Sequence, residues 1–154
     1  MEIIPLDLED SNECLLWDDF VRQHPEIGHH HKTEYLKAIL NVYNHANLSL
    51  ICFQNGIVTG ILPLVGISSK IFGDKVSSLP YYNYGGVISN NKYVEEALYC
   101  YAENLTKELN YDILQIKSLT PLHENLKDLG WFEQRHKVNM VLELPDDMKK
   151  IGNG

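Results

Sequence analysis

Residues able to do chemistry concentrate in one stretch, Ser78-Leu79-Pro80-Tyr81-Tyr82-Asn83-Tyr84-Gly85-Gly86. Proline fixes one backbone angle and removes a donor. Paired glycines permit positive φ or the close approach of another group to the backbone. Exposed tyrosines offer flat apolar area with a hydroxyl at the tip. Two readings follow from these residue types: a rigid strand-to-helix turn with half-buried rings, or a loop that lines a cleft. A second concentration, His29-His30-His31 after Gly28, invites a metal. Adjacent side chains point in different directions on a helix or strand, however, and three consecutive imidazoles do not readily close one tetrahedral site. The triple histidine is therefore read as a loop or the first turn of a helix.

Other titratable groups carry less. Asp18-Asp19, Glu95-Glu96 and Asp146-Asp147 are sequence neighbours, a pattern typical of solvated faces and caps rather than acid–base couples. His123 and His136 have no evident partner. The chain lacks the G-x-S-x-G elbow, H-E-x-x-H, the P-loop and C-x-x-C. Cys14, Cys52 and Cys100 are odd in number and set in apolar surroundings, which reads as reduced core thiols in a cytoplasmic protein. A net charge of −8 disfavours DNA and anionic lipid as partners. No apolar run is long enough for a transmembrane segment, and the N-terminus has no signal-peptide pattern.

These groups must be positioned by the elements around them. With 154 residues the chain suits one domain with a core of its own. Glu2–Asp7 reads as a first strand, at an edge because of Pro5. Asp10-Ser11-Asn12 caps a helix carrying Leu15, Leu16, Trp17, Phe20 and Val21, which Pro25 ends. Tyr35, Leu36, Ile39, Leu40 and Tyr43 mark a second amphipathic helix over Lys32–Asn44. Leu48–Phe53 and Ile57–Val65 flank Asn55-Gly56, a strong hairpin signal. The second of these strands is expected to run on through Ile67, bent by Gly60, Pro63 and Gly66. Val76–Leu79 completes the meander. After an Asn90-Asn91 cap, the next helix is expected to bury Tyr93, Val94, Ala97, Leu98, Tyr101, Ala102, Leu105 and Leu109. Tyr111–Ile116 reads as a strand. Thr120-Pro121 opens a short helix over Leu122–Leu129 with Gly130 as its stop, and Leu122, Leu126 and Leu129 should face the core. Val138–Leu144 alternates as a last strand. Strands before and after the long helix imply an α/β three-layer sandwich around a mixed sheet.

The same residues resemble a known family. Trp17-Asp18-Asp19-Phe20-Val21 with His24-Pro25 resembles the opening of FemAB-like proteins, W-x-x-F-V, H-P, then F-H-x-x-x-W; His31 matches the family histidine and Tyr35 stands in the tryptophan position. Gly60-Ile61-Leu62-Pro63-Leu64 and Phe72-Gly73 resemble the next two motifs. Ser78-Leu79-Pro80 with Tyr84-Gly85-Gly86 resembles S-x-P-F-x-x-Y-G-G, and Gly130-Trp131 and Leu144-Pro145-Asp146-Asp147 also fit. FemAB-like proteins are N-acyltransferases built from two GNAT-like halves. The resemblance implies a GNAT-like topology, lacking its last strand, as a single domain over 1–147. Residues 148–154 would then be a truncated tail leading to a missing C-terminal GNAT-like half.

It also implies a function: the acceptor-binding half of an N-acyltransferase acting on a peptidoglycan or polysaccharide precursor, inactive alone. Characterised relatives use aminoacyl-tRNA as donor. His31, Tyr81, Tyr82, Tyr84, Gly85 and Gly86 would contact the acceptor. An acetyl-CoA site on this fold needs a Q/R-x-x-G-x-G/A loop at a helix N-terminus. The corresponding Tyr84-Gly85-Gly86-Val87-Ile88-Ser89-Asn90 has no basic residue and no such spacing, so no cofactor is expected on this half, and the acyl donor (aminoacyl-tRNA or acyl-CoA) belongs to the full-length family. Lys37 lies near the family's phosphate-holding basic position but out of register. Two alternatives stand beside this reading: a stand-alone module binding a saccharide or partner, and a small acetyltransferase with a degenerate CoA loop. The catalytic residues are not identified by the sequence.

Overall fold

The structure is a computed structural model, which describes residues 1–24, 28–69, 71, 73–118, 121–122 and 124–134. Strand β1 (Glu2–Pro5) leads through a turn into helix α1 (Ser11–Arg22). Asp10 caps α1 as its sequence predicts: the carboxylate accepts from the N–H groups of Asn12 and Glu13, at 2.7 and 3.3 Å. A single 3-10 turn, His29–His31, precedes helix α2 (Thr33–Tyr43). Then come β2 (Ala46–Asn47), β3 (Leu50–Gln54), β4 (Ile57–Leu62), β5 (Val65–Ser69), β6 (Gly73–Ser77) and β7 (Ile88–Ser89). Helix α3 (Lys92–Glu108), β8 (Ile113–Gln115) and α4 (Glu124–Asp128) follow.

The sequence is read as one continuous strand from Ile57 past Val65; the structure divides it. Pro63, with no N–H to give a ladder, separates β4 from β5, and the chain passes from one four-stranded sheet, β1-β3-β4-β7, to another, β2-β5-β6-β8. Across the junction the Ser49 hydroxyl accepts from the Leu64 N–H at 3.2 Å, and the Leu48 N–H donates to the Leu64 carbonyl at 3.0 Å. Among the described residues all pairings are antiparallel except β6 with β8. Strand β1 is an edge, as expected. Asn55 and Gly56 both take positive φ, 52° and 77°, the pair of left-handed residues that a tight hairpin turn requires.

Side chains alternate across the strands and make two cores. Ile51 and Ile61 join Trp17, Phe20, Leu36, Ile39 and Leu79 on one face, under α1 and α2. Leu50, Cys52 and Leu62 join Val94, Leu98 and Ala102 on the other, under α3. The expected three layers are present: helices, sheet, helix.

The periodicity misplaces two residues of the stripe on α3. Val94, Leu98, Ala102 and Thr106, with Tyr99, are buried, whereas Tyr93 and Leu109 are exposed, at 66% and 46%. The buried line follows a strict four-residue step, and Tyr93 lies about 100° round the helix from Val94. Helix α4 is shorter than predicted and does not include Leu122, which is half-buried. Leu126 is buried, but the helix ends at Asp128, so Leu129 falls in the closing turn and is exposed. Gly130 does stop it, at φ 94°, with the Trp131 N–H donating to the Leu126 carbonyl at 3.1 Å. The bridging strands β2 and β7 have two residues each, too few for any period to announce. Pro25, Thr120, the Val138–Leu144 strand and the tail from Met148 lie outside the described residues.

Helix α3 rests directly on strand backbone at Gly60. A β-carbon there would meet Val94 Cγ1 at 2.5 Å and Leu98 Cδ1 at 3.0 Å. Gly60→Ala is expected to lower stability by about 1–3 kcal/mol, the usual effect of overpacking, read as a fall in the urea midpoint at unchanged slope.

Candidate functional site

The tyrosine loop leaves the end of β6 and stays fastened to the chain beyond β8. The Ser78 N–H donates to the Gln115 carbonyl at 2.9 Å, and the Ser78 hydroxyl accepts from the Lys117 N–H at 2.8 Å. The Lys117 ammonium then donates to the carbonyls of Leu79 and Tyr82, at 3.1 and 3.0 Å, while the Gly85 N–H returns to the Lys117 carbonyl at 2.9 Å. One lysine thus gives a charged donor to two loop carbonyls, that of Leu79 also accepting from the Tyr82 N–H at 3.3 Å. Leu79 and Pro80 are buried and root the loop in the core under α1 and α2.

Of the two uses the sequence allows the glycine pair, positive φ and close approach, the structure takes the second. Positive φ falls on Leu79 (37°) and Tyr81 (74°), not on the glycine pair. Gly85 and Gly86 serve close approach instead. A β-carbon on Gly85 would lie 2.5 Å from Leu79 Cβ, and one on Gly86 would lie 3.1 Å from Ser118 Cα. Left-handed backbone at a leucine and a tyrosine costs about 1–3 kcal/mol each, and such conformations cluster where function demands them.

The loop meets the triple histidine, two stretches that lie far apart in sequence. Tyr82 stacks on the His30 imidazole, centroids 5.1 Å apart and planes at 16°, and Tyr84 meets the same ring edge-on at 4.5 Å. Tyr35 approaches Tyr82 edge-on at 6.3 Å. Tyr82 and Tyr84 are half-buried, Tyr81 is exposed, Gly85 is buried and Gly86 is half-buried. His31 is placed within the protein, behind the loop. The indole N–H of Trp17 donates to its carbonyl at 2.7 Å, and Asp18 holds the next turn by accepting from the Thr33 N–H and hydroxyl at 2.8 and 2.9 Å.

Three ring nitrogens, His30 Nε2 and both of His31, are buried without a hydrogen-bond partner. Burial, then the neighbouring His30, pushes the pKa of His31 down to about 3; the Gly86 backbone offsets part of this without making a well-formed bond to either nitrogen. Burial and then His29 hold His30 below its ordinary value. Both imidazoles are therefore neutral near pH 7. Among the described residues, no three His, Cys, Asp or Glu side chains gather as metal ligands.

The other end of the loop runs through β7 into α3. There Asn91 Oδ1 accepts from the Val94 N–H at 3.0 Å, and Glu95 stands in the first turn. The helix terminus is thus capped by its own side chain and carries an acidic group where a bound phosphate would need positive potential.

Sequence reasoning missed Lys117 and His45, and did not join His30 or Tyr43 to the tyrosine loop. A lone lysine after a strand gives no signal, because its role comes from the loop it reaches. His30 could have been found by pairing the two aromatic stretches, but nothing in the spacing says that they meet.

No family model matches the sequence, and no curated protein matches it. Solved structures do match the fold. A ribosomal-protein-alanine N-acetyltransferase from Brucella melitensis biovar Abortus 2308 is 12% identical with a TM-score of 0.58, covering 94% of this chain and 100% of its own. An aminoglycoside acetyltransferase from an uncultured soil metagenomic sample, solved in complex with sisomicin, is 12% identical with a TM-score of 0.60, covering 92% and 96%. An aminoglycoside 6'-N-acetyltransferase from Acinetobacter haemolyticus is 13% identical with a TM-score of 0.57, covering 94% and 100%. The fold is that of the GNAT-superfamily acetyltransferases.

The histidine shift fixes a pH dependence. A group whose folded pKa of about 3 lies below its ordinary 6.5 binds fewer protons folded than unfolded between those values. Its stabilising contribution is complete above pH 6.5 and is lost as pH falls towards 3. Between pH 6.5 and pH 5 the loss should be about 2 kcal/mol. Urea midpoints measured at both pH values should therefore fall further for the native chain than for His31→Leu.

Proposed function

We propose that this GNAT-like chain is the acceptor-recognising half of an N-acyltransferase of the FemAB type. A peptidoglycan or polysaccharide precursor would be its acceptor. The acyl donor, aminoacyl-tRNA or acyl-CoA, would be handled with a second GNAT-like half. One observation carries this reading: the tyrosine loop is locked by Lys117 and set against His30, so that it forms a rigid aromatic wall at the surface. Transfer to an amine needs the nucleophile held in line with an acyl carbonyl, and a preorganised wall contributes by removing the freedom of the acceptor before reaction. Tyr81, Tyr82, Tyr84 and the Gly85–Gly86 backbone would supply that wall. His31 would support it from behind. The motif order from Trp17 to Gly130-Trp131 supports the FemAB assignment over other GNAT-like proteins.

The self-capped, acid-bearing start of α3 supports the absence of a pyrophosphate grip on this half. A second reading, a small CoA-dependent acetyltransferase, draws support from the match over 96–100% of complete acetyltransferase chains.

Isothermal titration of the chain with acetyl-CoA separates the two. A flat trace is expected; saturable heat near one ligand per chain would replace the acceptor-half reading with the second one.

A further inference from the structure

Tyr81 parts company with the other two tyrosines. Its ring turns from the His30 cluster and lies beside the imidazole of His45, planes 9° apart and centroids 6.2 Å apart. The Tyr81 hydroxyl and His45 Nε2 are 2.9 Å apart. Rings joined through their edges at that separation lie side by side, forming one shelf. Tyr43 backs the shelf, stacking on Tyr81 at 4.4 Å and on His45 at 5.6 Å. Even so, Tyr81 keeps 59% of its surface exposed, and the left-handed φ of 74° holds it there. A strained residue that delivers a ring to solvent instead of to the core asks for a ligand. Beside His45 the surface dips into a hollow of about 330 Å³, lined among others by Asp7, Glu9, Lys37, Asn41 and Asn47.

We propose that the Tyr81–His45 shelf and this hollow form a subsite for a neutral pyranose. The C–H face of a sugar ring is apolar and flat enough to stack on an aromatic shelf, and its hydroxyls both donate and accept around the rim. The hollow offers both kinds of partner. Asp7 and Asn47 are already engaged with local backbone, through Glu9 N–H, Ser49 N–H and the Leu6 carbonyl. Glu9, Lys37 and Asn41 at the lining are then the side chains that meet hydroxyls. A phosphorylated ligand fits worse, because the lining counts two acidic residues against one lysine, in a chain of net charge −8. The subsite rests on the acceptor-wall reading and names the part of the acceptor that Tyr81 holds.

The test is saturation-transfer NMR of the whole chain with the trimer of β-1,4-linked N-acetylglucosamine. Transfer is expected to be strongest at ring C–H protons of one sugar face. Tyr81→Gly removes the ring while suiting the positive φ, so the fold is kept; it should weaken binding about tenfold, the scale of one lost stack. Tyr93→Ala, on the outer side of α3, should leave binding unchanged. No transfer to the native chain, or equal binding by Tyr81→Gly, overturns the subsite. The outcomes stay separate from the earlier test. Trimer binding through Tyr81 together with acetyl-CoA binding ends the acceptor-half reading alone, and a flat acetyl-CoA trace without trimer binding ends the subsite alone.

Discussion

The fastening of one loop to one lysine is the constraint on which the rest turns. Without the Lys117 ammonium, the carbonyls of Leu79 and Tyr82 would lose their charged donor, and the strained turn between them would rest on neutral main-chain bonds alone. Hydrogen bonds from a charged donor are stronger than neutral ones, and here two of them converge where the backbone bears left-handed residues at 79 and 81. The parallel pairing of β6 with β8 makes this possible. The ladder ends with Ser77 opposite Gln115, and the chain beyond it brings Lys117 alongside Ser78. Sheet topology is therefore what allows an aromatic loop to be rigid.

Much of the fold could be read from local rules. Asp10 and Asn91 cap their helices as residue type suggests, Asn55-Gly56 makes its turn, and the helix, sheet and helix layers follow from element order. Each of these rests on contacts within a few residues. The misreadings involve competition between distant parts. Pro63 ends a strand because the continuation pairs in a different sheet, which hydropathy alone does not reveal. Tyr93 sits on the predicted stripe yet is exposed, whereas Tyr99, outside that stripe, is buried with Trp131 edge-on at 4.9 Å.

The site shows the same division. The composition of Ser78–Gly86 marked it out, and the structure keeps one foot of it in the core and the tyrosines at or near the surface. Which tyrosine meets which partner was not legible. Tyr82 and Tyr84 close on His30, whereas Tyr81 joins Tyr43 and His45. These choices follow from two dihedral angles and from the docking of α2, and neither leaves a trace in spacing. The pair of glycines offers freedom or lack of bulk by residue type, and the structure uses the lack of bulk. A methyl group has no room beside Leu79 at Gly85, and at Gly86 it would press on Ser118.

The β3–β4 hairpin turn has the opposite character. Nothing lies within 4 Å of where a β-carbon on Gly56 would sit, and its neighbours Asn55 and Ile57 are exposed. The two strands it joins are held along their length by their own ladder. Exposed loop tips of this kind tolerate added sequence. The tip between Asn55 and Gly56 is accordingly a natural place to graft a fluorophore or an affinity handle, one that leaves the aromatic surface unencumbered.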